Sequence, residues 1–188
     1  MFLKRLSKGV LGWLGRPRLL SAQSSEPLTR GPLCHVIILD GTMSTLDPGH
    51  ETHAGTTYRL CKEMGARVSV YYEAGVQWSA WNKTADVMIG RGINRKIRRA
   101  YGYLASRYRP GDKIYLIGYS RGAYAVRSLA GMLDRVGLVK TEHATVRNIR
   151  TAYRHYQLGS GREIRTAFRN AYCHSKVEIE MLGVWDTV

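Results

Sequence analysis

Gly118-Tyr119-Ser120-Arg121-Gly122 is the place where residue types and spacing point most directly to chemistry. A serine hydroxyl is a poor nucleophile unless a base accepts its proton and N–H donors hold the charge that develops on a carbonyl oxygen. A G-x-S-x-G turn can present such a serine where a strand passes sharply into a helix. The residues two before and two after must then be small, because strand and helix run close beside the turn. Gly118 and Gly122 meet that need. The amide of Arg121, at the start of the following helix, is one candidate oxyanion donor, and the Gly41 or Thr42 amide of Asp40-Gly41-Thr42 is a second. Asp-Gly-Thr also suggests a phosphatase that uses a D-x-D pair of aspartates, but the residue two before Asp40 is Ile38, and that reading fails. Asp186, in "LGVWDTV", is the candidate acid. Asp134 is the fallback, although its place inside a helix suits a surface role better.

These residues depend on the elements around them. "LCHVIIL" (33–39) and "KIYLI" (113–117) are short apolar runs of the kind that form buried parallel strands. "RVSVYYE" (67–73) and "VEIEMLGVWD" (177–186) read as two more strands. Helices are expected over 55–65, closed by Gly65, and from Gly92, where Ile93, Ile97, Tyr101, Leu104 and Tyr108 recur at helical spacing. Pro110-Gly111-Asp112 breaks that helix. Val126, Leu129, Leu133 and Val136 place a third helix after Ser120, and two more are expected at about 141–158 and 162–172. Residues 74–91 show no period and read as loop. Alternation of strands and helices gives an α/β fold, a mostly parallel sheet with helices on both faces. No repeat is visible.

The chain has 188 residues and is 44% hydrophobic, enough for one domain with a real core. Lys and Arg number 29 against 14 Asp and Glu, a net charge of +15 that favours a polyanionic neighbour. Cys34, Cys61 and Cys173 lack metal-ligand spacing and read as free thiols in a reducing, cytoplasmic compartment, with no metal and no cofactor implied. No apolar run approaches the ~18–20 residues that span a bilayer. Residues 1–31 read as a basic leader and linker: Lys4, Arg5 and Lys8 interrupt any secretory signal, while Phe2, Leu3, Leu6, Val10, Trp13 and Leu14 lie roughly on one helical side. That pattern offers a route to peripheral attachment at an anionic membrane surface, but Gly9, Gly12 and Gly15 weaken the helix, and a disordered leader is the preferred reading. The domain proper is read as residues 32–188.

Taken together, "ILDGT", "VYYEAG", "IRRAYGYLASRYRPGDKIYLIGYSRGAYAVRSLAGML" and "LGVWDTV" resemble an α/β-hydrolase family long catalogued as a domain of unknown function. That family includes the catalytic domains of type VI secretion phospholipase effectors. The resemblance runs from about residue 33 to 188. It implies Ser120 as nucleophile, Asp186 as acid, and Asp40, Gly41 and Thr42 as a signature beside the active site. Met43 and Ser44 stand where the family usually has an aromatic residue and Asn.

Triads of this fold follow the chain order serine, acid, histidine. Here His35, His50 and His53 precede Ser120, and His143, His155 and His174 lie between it and Asp186. The expectation is an incomplete domain, with the catalytic histidine supplied by polypeptide beyond these residues. The expected activity is hydrolysis of carboxylic esters, phospholipids among them, with a small-molecule or lipid ester as substrate. Arg121 and Arg127 are candidates to attract an anionic head group. Two other readings compete with it. One is a degenerate hydrolase scaffold. The other is a non-catalytic module binding nucleic acid through the Arg- and Lys-rich residues 91–109, with Arg95, Arg98 and Arg99 as contacts. Tyrosines at helical spacing there belong more naturally to a core and the cations to a solvated face, so nucleic acid is the lesser reading. Oligomeric state is left open.

Overall fold

A computed structural model describes residues 30–42, 44–75 and 91–187. The leader and the aperiodic stretch with Trp78 and Trp81 lie outside the described residues. The compact unit begins at Pro32.

The elements run β1 (Cys34–Leu39), α1 (His53–Glu63), β2 (Val68–Glu73), α2 (Arg91–Ala105), β3 (Lys113–Tyr119), α3 (Arg121–Arg135), α4 (Val146–Gln157), α5 (Arg162–Tyr172) and β4 (Ile179–Trp185). The four strands form one all-parallel sheet in the order β2-β1-β3-β4. The fold is therefore α/β.

Strand alternation divides the core in two. On one face Ile37, Leu39, Ile114 and Leu116 pack with Ile97, Tyr101 and Leu104 of α2 and with Val126, Leu129 and Met132 of α3. On the other face Val36, Ile38 and Ile117 pack with Ala54 of α1, and Tyr58, Tyr72 and Tyr119 close over them. Ile37, Ile38, Leu39 and Leu116 are fully buried, which is why the runs around them read as continuous apolar segments.

The helix expected at about 141–158 begins later. Thr141–His143 form a 3-10 turn, and Thr145 then caps α4, its Oγ1 accepting from the Asn148 amide at 3.2 Å. The other end of the sheet is fastened by Asp112. Its carboxylate accepts from the Leu33 and Arg109 amides at 2.8 Å each and bonds His35 Nε2 at 2.9 Å, at the amino-terminal end of β1 and β3.

Two features of this arrangement matter for chemistry. Leu39 stands in register with both Glu73 and Gly118, and Gly118 with Val184, so all four strands end together. The chain also passes from β1 outward to β2 and then returns to β3 on the other side, which makes the β1–β3 gap a topological switch point. Open parallel sheets bind ligands at that point, outside the carboxyl ends of the strands.

Candidate active site

Ser120 stands at the carboxyl end of β3, one residue before α3, with φ 51° and ψ −124°. That backbone region costs a residue with a Cβ about 1–3 kcal/mol, and such strain persists only where surrounding structure enforces it. Here the neighbours are glycines. A Cβ on Gly122 would fall 1.9 Å from the Leu39 carbonyl oxygen, and one on Gly118 would fall 2.6 Å from Ala123 Cα. The strand and helix flanking Ser120 are thus in backbone contact, as the spacing of the two glycines predicts. The turn is closed by the Ala123 amide, which donates to the Ser120 carbonyl at 2.9 Å.

The Asp40–Thr42 turn lies directly against this serine. A Cβ on Gly41 would lie 2.6 Å from Tyr119 Cδ1 and 3.2 Å from Ser120 Cβ. Asp40 is buried, and its carboxylate is fully engaged: it accepts from the Gly41 amide at 2.7 Å, from Thr52 Oγ1 at 2.6 Å and from the Tyr72 hydroxyl at 2.7 Å. Burial first, and the bond to Asp40 second, push the Tyr72 phenol well above its usual range, so it stays a donor. Asp40 therefore shapes the turn and anchors the start of α1, rather than facing the serine hydroxyl.

Asp186 follows the last residue of β4, exposed, with φ 45°. Arg121 is half-buried beside the serine and Arg127 is exposed on the second turn of α3. Asp134 is exposed near the far end of that helix, which fits a surface role.

The histidines are dispersed. His35 is bound to Asp112 at the opposite end of the sheet. His155 Nδ1 bonds Ser160 Oγ at 3.0 Å while its ring packs on Phe168, and His174 packs edge-on against Tyr108. His143 packs against Tyr172. His50 and His53 are exposed, on the loop after β1 and at the start of α1.

Three contributors were not legible as site residues in the sequence. Gly75, just past β2, meets Gly41 backbone to backbone, and its amide donates to Ser44 Oγ at 2.8 Å. Lys96 of α2 donates to the Ala74 carbonyl at 2.5 Å. Tyr72 is the third, through Asp40. Along the same helix, Tyr101 is buried, Arg98 lies over the Tyr153 ring with its Cζ 5.6 Å from the centroid, and Arg99 pairs with Glu73 at 3.3 Å. The helix stops at Ala105, short of the expected Tyr108, which is buried just beyond it. Cys34, Cys61 and Cys173 are free thiols. Among the described residues no group of three or more His, Cys, Asp or Glu is placed to hold a metal ion, and no helix is long and apolar enough to cross a membrane.

The all-parallel four-stranded sheet with its helices defines the α/β class of fold. Residues 34–188 match the family model of the type VI secretion phospholipase effector Tle1-like catalytic domain, and the chain belongs to that family. An uncharacterized protein of Saccharomyces cerevisiae is 30% identical over 120 residues, a match covering 55% of this chain and 18% of the yeast protein. The chain thus spans less than a fifth of that relative. No solved structure matches it.

Proposed function

We propose that this domain is a lipolytic serine hydrolase acting on carboxylic esters of the phospholipid class, with Ser120 as nucleophile. The observation that carries the reading is the positive φ of Ser120 at a turn walled by Gly118, Gly122 and Gly41. A hydroxyl held this way projects from the switch point, and membership in a phospholipase effector family supplies the substrate class.

In this mechanism Ser120 Oγ attacks the ester carbonyl carbon as a histidine takes its proton. The carbonyl oxygen becomes an oxyanion and is held by backbone amides. A helix leaves its first N–H groups without intrahelical acceptors, so the Arg121 amide is one donor. The Gly41 amide already donates to Asp40 Oδ1 at 2.7 Å, so of the two amides on the turn packed against Ser120 the Thr42 amide is the other donor. The tetrahedral intermediate collapses, the alcohol leaves with the proton returned by the histidine, and water hydrolyses the acyl-serine by the same steps in reverse order. Asp186 orients the histidine. Of the six histidines in the chain, His35 bonds Asp112, His155 bonds Ser160, His174 packs on Tyr108 and His143 on Tyr172, while His50 and His53 are exposed. Arg121 and Arg127 favour an anionic head group, and the proposed setting is cytoplasmic, with the basic leader bringing the protein to an anionic membrane surface.

The test uses the full-length natural protein with short p-nitrophenyl esters and with phosphatidylglycerol vesicles. Release of p-nitrophenol and of fatty acid is expected from the wild type and not from Ser120→Ala. Equal rates in the two proteins would remove Ser120 from the mechanism.

A further inference from the structure

The turn that carries Gly41 does not stand alone. Pairing of β1 with β2 runs one step past the strands, where the Asp40 amide donates to the Glu73 carbonyl at 3.0 Å. The two chains then stay in contact without any side chain between them. A Cβ on Gly75 would lie 1.6 Å from the Gly41 carbonyl oxygen, 2.3 Å from its carbon and 2.6 Å from Thr42 Cα. The Gly75 amide donates to Ser44 Oγ at 2.8 Å, and the Ser44 amide donates to the Gly41 carbonyl at 3.3 Å. The Gly41–Thr42 backbone therefore meets both Ser120, through Gly41, and Gly75.

Ala74-Gly75 is held in turn from α2. Lys96 reaches across to donate its ammonium to the Ala74 carbonyl at 2.5 Å. The side chain is half-buried, and burial pulls its ammonium below the usual lysine range, with Arg95 and Arg121 adding to the effect and Glu73 and Asp40 opposing it. A half-buried lysine spent on one backbone carbonyl is unusual, since a cation of this kind is ordinarily left in water.

We propose that Lys96 and Gly75 are positioning residues for the oxyanion-binding turn. Lys96 fixes the end of β2, and Gly75 forms the wall against Gly41 and Thr42 that sets the Thr42 amide beside Ser120. This rests on Ser120 being the nucleophile. Oxyanion donors act over 2.7–3.1 Å, and a misplacement of about 1 Å can lower the rate by about 100-fold, so a wall in direct contact with the donor segment governs turnover more than ground-state affinity.

The experiment compares full-length wild type, Lys96→Met, Lys96→Arg and Gly75→Ala in ester hydrolysis, fluorophosphonate labelling of Ser120 and thermal unfolding. Lys96→Met is expected to lower kcat and the labelling rate together by about 10- to 100-fold, with KM within about twofold. Lys96→Arg should recover part of the loss, because a guanidinium can also donate to a carbonyl. Gly75→Ala should show the same kcat-dominated pattern. Unchanged kcat and labelling in Lys96→Met would overturn the brace while leaving Ser120 intact. So would a loss matched by a fall in the folded fraction and not recovered by arginine. A wild-type protein that neither hydrolyses esters nor labels would overturn the serine reading, and the brace with it.

Discussion

The Ser120 amide donates to the Trp185 carbonyl at 3.0 Å, one rung beyond the Tyr119↔Trp185 pair of the β3–β4 ladder. Asp186 therefore leaves the sheet beside Ser120, and both residues turn away with positive φ, 45° and 51°. Two side chains 66 positions apart in sequence are thus presented at one edge by adjacent parallel strands.

If Asp186 orients the catalytic base, Asp186→Asn keeps the shape and loses the charge that holds the imidazole in its productive tautomer. The turnover number should fall by about 10²- to 10⁴-fold. Stability should change by less than about 0.5 kcal/mol, since the residue is exposed. Ester turnover and thermal unfolding of the same sample check both halves, and a variant as active as wild type would strip Asp186 of this role.

Ser120 occupies a conformation that glycine adopts freely. Ser120→Gly should stabilise the fold by about 1 kcal/mol through relief of backbone strain while ester hydrolysis disappears. Denaturant unfolding measures the gain. A destabilised variant would mean that the serine side chain itself holds the turn.

Gly122→Ala tests the close approach of β1 to α3. Its Cβ would meet the Leu39 carbonyl oxygen at 1.9 Å and the Asp40 carbonyl oxygen at 2.8 Å, both backbone atoms that cannot rotate away. The expected loss is about 1–3 kcal/mol or more. A melting temperature equal to wild type would show that the turn is looser than its geometry implies.

Much of this was readable from local pattern. The spacing of Ile97, Tyr101 and Leu104 gave the buried stripe of α2, the apolar runs gave β1 and β3, and the two glycines around Ser120 gave the tight turn. What escaped the reading depends on register. The contact of Gly75 with Gly41 exists because Glu73 pairs with Leu39, and nothing within either loop encodes that match. Lys96 belongs to a run of cations that reads as a solvated face, and only the packing of α2 against β2 turns this one inward to Ala74. The later start of α4 came from the Thr145 cap, a single hydroxyl that outweighs the helical pattern before it.

Asp40 illustrates the difference between a signature residue and a reacting one. Removing its carboxylate leaves Tyr72 Oη, Thr52 Oγ1 and the Gly41 amide without their acceptor. Asp40→Ala should lower stability by about 3–5 kcal/mol, whereas Tyr72→Phe, which deletes one donor and leaves the carboxylate two others, should cost about 1–3 kcal/mol. Urea unfolding separates the two. A catalytic defect in Asp40→Ala with undiminished stability would instead argue for a direct chemical role.

The last expectation concerns pH. Burial pulls His174 below the usual histidine range, opposed by Glu142 and aided by Lys140, and its Nε2 is buried with no hydrogen-bond partner among the described residues. His155 is also lowered, by burial and then by Arg154 and Arg165. Both rings take up protons less readily in the folded chain than in the unfolded one, where the value is about 6.5. Above that value neither state is protonated and the fold has its full stability. As pH falls below it, the unfolded state binds protons that the folded state refuses, and stability declines until the lower folded values are passed. The melting temperature should therefore drop between pH 7.5 and 5.5, a window above the ordinary carboxylate range. The double variant His155→Gln/His174→Gln should show a flatter profile there. A wild-type profile that is level across the window, or one that the double substitution leaves equally steep, would show that these two rings are not what ties stability to pH.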